Sequence, residues 1–301
     1  MSDQQIREVA TGLGFPEGPC VLPDGDLAVT DVRLGQVWRV APDGATSVLA
    51  TVGGGANGSA LGADGSLLVV NNGGLPWSER GGIGIPVDEH GSTRVPGARG
   101  WVDRIDLATG GVTRLIDDCD GEPFLAPNDI VVGSDGGFWF TDLGRMDPRT
   151  YDRGAVYHST ADGSTVRRVA QGILGANGVG LSPDESTLYV AETSTGRLLA
   201  WTITGPGEVE SPQPRVVAAT PDHFDSLAVE EDGTVVVAAI NHGLCLVRPD
   251  GSVEHVDVPE PMTTNICFAG DDLRTAYITA SATGRVLTCE WPRPGLRLHH
   301  T

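Results

Sequence analysis

Six residues with oxygen-bearing side chains recur at equivalent places in this chain: Glu17, Asn57, Asn128, Asn177, Asp225 and Asn265. Each opens a short apolar run, and seven positions later stands an aspartate: Asp24, Asp64, Asp135, Asp184, Asp232 and Asp272. One such residue at a strand end serves a local turn. Six in a common register point to convergence. If the two carboxylates come within ~4 Å, they repel by roughly 4 kcal/mol at an effective dielectric near 20. Such a cluster takes up a proton or binds a cation, and the amide oxygens beside it favour the cation. No His or Cys stands at these positions. An all-oxygen set suits one hard divalent ion, Ca²⁺ ahead of Mg²⁺ or Mn²⁺, with Zn²⁺ the least suited substitute.

The elements that must bring the six together are legible in the same segments. EGPCVLPDGDLAVTD, NGSALGADGSLLVVN and NDIVVGSDGGFWFTD, with three later counterparts opened by Asn177, Asp225 and Asn265, each read as strand, tight turn, strand. Third strands follow from Gly35, Gly100, Gly154, Gly196, His242 and Gly284. Fourth strands follow as TSVLAT, GVTRLI, STVRRVA, PRVVAA and SVEHVDV. The last repeat lacks one, and Ile6–Ala10 stands in the place of a fourth strand with no repeat before it. The reading is therefore all-β: a six-bladed propeller of four-stranded blades, its ring closed by the N-terminal strand. It takes 1–301 as one domain. Apolar runs such as LLVV and TVVVAA suit strands buried on both faces. Because each opening residue begins an innermost strand, all six lie at one end of the channel.

Composition narrows the chemistry. The chain has no lysine, all 20 basic residues being arginine, which excludes Schiff-base, pyridoxal-phosphate and phosphate-loop lysines. A formal charge of −20 is at odds with a nucleic-acid partner. The longest apolar runs, Leu67–Val70 and Thr234–Ile240, are strand-sized, so no membrane partner is expected. The start shows no leader pattern, and five cysteines without CxxC spacing read as reduced thiols of a cytoplasmic protein. The tail from Leu298 is native or an added remnant and carries no weight. Gly53, Gly55 and Gly58 match G-x-G-x-x-G, but a strand follows them where a dinucleotide site needs a helix.

Between the second and third strands of blade two lies a long insertion, Gly73 to Arg99, containing Trp77, Arg80 and His90. Topology returns it to the face of the six opening residues, as a lid or pocket wall, or as a surface loop. The loops at 143–153 and 241–243 share that face. Asn57, Asn72, Trp77, His242 and Asn265 are the candidates for contact with a small-molecule substrate.

The strings GFPEGP, APNDIVV, ANGVGLSPD, FDSLAV and FAGDDLRTAYIT resemble the gluconolactonase, senescence-marker-protein and luciferin-regenerating-enzyme family over essentially the whole chain. By that resemblance Glu17, Asn177 and Asp225 match direct metal ligands. Asn128 matches a position that binds the ion directly in diisopropyl-fluorophosphatase-like relatives and through water in others. The resemblance implies hydrolysis of a lactone or phosphoester at a calcium-type centre, with Asp225 as base or nucleophile. One departure is Ala126, which stands where the mammalian sugar lactonases carry an arginine. The resulting expectation is a metal-dependent hydrolase of a lactone or related cyclic ester, with Asp225 as general base. The alternatives are a phosphotriesterase-like hydrolase at the same site, and a non-catalytic ligand- or protein-binding propeller with a structural ion.

Overall fold

The computed structural model describes residues 5–300. Met1–Gln4 and Thr301, at the ends read above for a leader and a tail, lie outside the described residues. Six four-stranded blades surround a channel, and their inner strands are Pro16–Val21, Ala56–Leu61, Pro127–Val132, Ala176–Leu181, Phe224–Val229 and Thr263–Ala269. In blade four a short strand, Glu208–Val209, extends the third strand as a fifth member of the sheet.

The aspartate seven positions after each opening residue makes the turn from first to second strand. In every blade its carboxylate accepts the backbone N–H two residues on, as from Ser66 to Asp64 (3.1 Å) and from Gly137 to Asp135 (2.9 Å). The residue after it is left-handed, which suits the glycine of four blades; in the other two Glu185 and Leu273 adopt φ 54°.

Second strands such as Leu67–Asn71, Phe138–Asp142 and Val235–Ala239 are buried at every position. The reason is packing on both faces. The buried apolar residues fall into six clusters, one between each pair of neighbouring blades. Between blades two and three, for example, Leu68, Val70 and Val102 meet Phe124, Phe138, Phe140 and Tyr157.

The ring closes as the sequence requires. Arg7–Ala10 pairs antiparallel with Arg285–Glu290 of blade six, with Arg7 opposite Thr288 and Ala10 opposite Val286. Ala10 and Val286 also pack in the cluster between blades six and one. Of the tail set aside in the sequence reading, Leu298 and His299 are part of the fold, as is the segment leading to them. Leu296 donates its N–H to Val229 O (2.8 Å), and Leu298 and His299 line the channel end away from the six opening residues. The tail matters because inner strands bare apolar side chains to the channel, and a terminal segment covers them.

Removing the chain through Ala10 strips blade six of its outer strand. At roughly 1 kcal/mol per lost hydrogen bond, a fall of several degrees in melting temperature is expected. A truncated protein melting with the full chain would show that the ring holds without this pairing.

Candidate metal centre

Each inner strand breaks its ladder just beyond its first pairs. Between Glu17 and Cys20 three steps face two steps on the second strand, and an equivalent one-residue excess occurs in all six blades. A bulge at this point bends the strand and re-aims its side chains toward the axis. The position after the opening residue is glycine in three blades: Gly18, Gly58 and Gly178. A Cβ on Gly58 would lie 2.6 Å from Asp129 Cα, and one on Gly178 would lie 2.7 Å from Ser226 Cα. Their absence lets neighbouring inner strands close in and narrows the ring. Thr141 Oγ1 donates to Asn177 O (2.5 Å) and Thr30 Oγ1 to Asn57 O, fixing these backbones from the preceding blade.

Glu17, Asn57, Asn128, Asn177 and Asn265 are buried, while Asp225 keeps part of its surface even though its carboxyl lies deep among neighbours. Burial raises the Glu17 carboxyl, against bonds from Thr264, Asn265 and Gly18. Asn265 Nδ2 donates to Glu17 Oε2 (3.1 Å), so this amide orients a carboxylate. Asp225 is raised well above the usual range, first by burial and then by the charge of Glu17. A third carboxylate, overlooked in the sequence, sits with them. Asp129 accepts from Ile130 N (3.0 Å) and Val179 N (3.1 Å), yet burial pushes it up to about 7, with Glu17 adding to the rise. Its equivalents in other blades are Gly18, Gly58, Gly178, Ser226 and Ile266. Reading the repeats one position further along would have found it.

The donor set fits a cation. Asn128 Oδ1 and Asn177 Oδ1 are buried acceptors with no hydrogen-bond donor in the structure. An orphaned buried acceptor costs about 1–3 kcal/mol, and two of them beside carboxylates resisting ionisation define a site short of positive charge. Below the ring, a cavity of about 100 Å³ lined by Val131, Leu181, Val229 and Phe268 gives the site a low-dielectric floor.

The remaining sequence candidates occupy varied places. Asn72 is buried at the base of the insertion, its Oδ1 accepting from Gly74 N (2.9 Å). Trp77 packs edge-on to Phe15 (5.1 Å between centroids), with the Arg33 guanidinium 5.4 Å from its ring. The hairpin beyond it, Ser78–Arg80 with Ile83–Ile85, leans on the Ser281–Thr283 turn of blade six. Arg145, in the loop at 143–153, donates to Gly74 O (2.8 Å), Thr93 O (3.0 Å) and Leu125 O (3.1 Å), and also to Asn72 O. Arg94 pairs with Asp147 (3.0 Å) and Asp152 (2.6 Å). The insertion is thus a wall tied to blades one, three and six. No local pattern announced Arg145, whose partners are carbonyls 20 to 73 residues distant. With its donors so engaged, it does not stand in for the arginine absent at Ala126. His242 lies on blade five, where Nδ1 meets Asp222 Oδ1.

The family model for the SMP-30/gluconolactonase/LRE-like region matches residues 15–282. The chain belongs to this family. Among its relatives is the lactonase drp35 of Staphylococcus haemolyticus, 37% identical over 126 residues, which are 40% of this chain and 37% of that protein. The drp35 of a Staphylococcus epidermidis strain is 34% identical over 142 residues, 45% of this chain and 42% of that protein. The match thus spans less than half the length of these curated relatives. A gluconolactonase from Xanthomonas campestris superposes with a TM-score of 0.77 at 24% identity, covering 97% of this chain and 91% of that one. Regucalcin from Agrobacterium tumefaciens, described as a calcium-binding protein, superposes at 0.71 with 18% identity, covering 96% and 95%. At these identities the superpositions establish the family fold.

The three raised carboxyls set a pH dependence for the chelator-treated protein. A carboxyl with a raised folded pKa contributes stability that is fully present below its unfolded value, near 4, and is lost as pH rises through the folded value. For Asp129 that upper limit is about 7. Melting temperature in chelator should therefore fall between about pH 5 and pH 7, and Asp129→Asn should flatten part of the slope. Parallel pH profiles for the two proteins would remove Asp129 from this account.

Proposed function

We propose that this chain hydrolyses a lactone or related cyclic ester with the help of one bound divalent ion, Ca²⁺ before Mg²⁺ or Mn²⁺. The observation that carries the reading is the pair of donorless amide oxygens of Asn128 and Asn177 beside Glu17 and Asp225. Relatives named as lactonases and a gluconolactonase support the substrate class, and the calcium-binding regucalcin supports the ion. The reading takes the propeller as one domain, with a small molecule as partner. No helix among the described residues is long and apolar enough to cross a membrane.

In this reading Glu17, Asn128, Asn177 and Asp225 hold the ion, and Asn265 keeps the Glu17 carboxylate in place. An ion bound there supplies Lewis-acid polarisation of the ester carbonyl and charge to stabilise the oxyanion. Asp225, the member of the set with exposed surface, accepts a proton from the attacking water as its oxygen adds to the carbonyl carbon. The bond from that carbon to the ring oxygen then breaks, and the ring oxygen leaves with a proton, giving the open hydroxy acid. The wall carrying Trp77 bounds the substrate side, with Asn57 and Asn72 beneath it.

Asp225→Asn keeps an oxygen ligand of the same shape but removes the base. At saturating Ca²⁺ its turnover on a lactone panel should fall by about 10²–10⁴-fold, while metal affinity falls modestly. Glu17→Gln should lose metal first and recover part of its rate in excess ion. A fully metallated Asp225→Asn working within about threefold of the wild type would reduce Asp225 to a ligand. Binding of lactones without turnover, unaffected by chelator, would instead favour the non-catalytic alternative.

A further inference from the structure

Blade five carries a second group of metal-ligating side chains, of different chemistry. Cys245 on the third strand lies directly opposite His255 on the outer strand. Asp222, in the segment entering the inner strand, comes up beside them. One ligand atom from each of the three lies within 4.8 Å of the others. Asp222 is buried, and its carboxylate is held between two imidazoles: His255 Nε2 at 2.9 Å from Oδ2, and His242 Nδ1 on Oδ1. The two rings stand at 90° with centroids 6.3 Å apart. Among the described residues Cys245 Sγ makes no hydrogen bond, although Asp222 and His255 converge on it. Among the described residues no arginine pairs with Asp222, unlike the buried carboxylates of Glu192 and Glu230.

We propose that Asp222, Cys245 and His255, with His242 as the fourth donor at the rim, form a binding site for one zinc-class ion. One carboxylate, one thiolate and two neutral imidazoles match the ligand types of a tetrahedral zinc site, and the two anionic ligands cancel the ion's charge. Zn–N near 2.0 Å and Zn–S near 2.3 Å require neighbouring ligand atoms to approach to about 3.5 Å. His255 Nε2 and His242 Nδ1 lie closer than this to the Asp222 oxygens and must draw apart to admit the ion, a shift the half-exposed His255 and the exposed His242 can supply by rotation. Burial and the Asp222 charge push the Cys245 thiol up to about 12. Occupancy at neutral pH thus expels the Sγ proton as the metal–sulfur bond forms, so one proton is released to solvent for each ion bound. The channel ring, having only oxygen donors, is a poor competitor for such an ion. The proposal is independent of the lactonase reading.

The test uses the full chain, stripped of metal and resaturated with Ca²⁺ to occupy the channel, then titrated with Co²⁺. A single equivalent should produce a thiolate-to-cobalt charge-transfer band and tetrahedral visible bands, both displaced stoichiometrically by Zn²⁺. The channel's oxygen donors cannot give the sulfur band. Cys245→Ser should abolish it. His255→Asn, on an outer strand where the fold tolerates change, should weaken Co²⁺ binding by about tenfold or more. Proton release should accompany the titration and be absent in Cys245→Ser. No charge-transfer band in the folded wild type would overturn the proposal. So would an unchanged band in Cys245→Ser, or an unchanged affinity in His255→Asn.

Discussion

Every blade of this protein has two apolar faces, and from that the rest of the structure follows. A sheet of this kind has no solvent-compatible side, so each blade needs a neighbour on both flanks. A linear stack would leave two faces bare; a closed ring leaves none. The six interblade clusters are the packed result, and the pairing of Arg7–Ala10 with blade six supplies the final seam. Ring closure in turn forces the inner strands to converge on an axis, which produces a channel wherever side chains do not fill it.

The chemistry is a by-product of that convergence. One-residue bulges bend all six inner strands near their opening residues, and glycine or serine beside most of them lets the backbones approach. Oxygen donors concentrated there leave water without leaving one another. Burial then raises Glu17, Asp129 and Asp225 together, since each unpaired charge worsens the position of the next. Such internal conflict is relieved by a proton or by a cation, and oxygen donors of this kind are those a hard cation takes.

What was legible in the sequence was what repeats. The opening residues, the turn aspartates and the missing sixth outer strand all follow from aligning the chain with itself. Features present once escaped. Asp129 occupies a slot where the other five blades place glycine, serine or isoleucine and none an acid, so it is visible only against the repeat and not within it. Arg145 gathers carbonyls from distant segments, a bonding mode without a sequence signature. Asp222, Cys245 and His255 are separated along the chain and meet only because the third and outer strands of blade five are in register. His242 was read as a pocket residue from its loop; its partner Asp222 emerges only once the blade is built. The tail from Leu298 carries no weight in the sequence because it reads equally as native or an added remnant, yet Leu298 and His299 line the apolar channel end.

The seam between the two ends of the chain has a consequence for biogenesis. On the ribosome, Arg7–Ala10 emerges five blades before its partner strand, Arg285–Glu290. Until then the nascent chain displays the unpaired strand and the bare apolar face of blade one, both templates for aggregation. The entropy of joining such distant segments grows only logarithmically with the intervening length, so the closed ring is not much less stable for it. The burden falls on rate. Domains dominated by long-range pairings fold slowly, and here the slowest pairing is the one that shields the rest. This protein's vulnerable period is therefore its synthesis, when five blades can exist without the closure that covers their end faces.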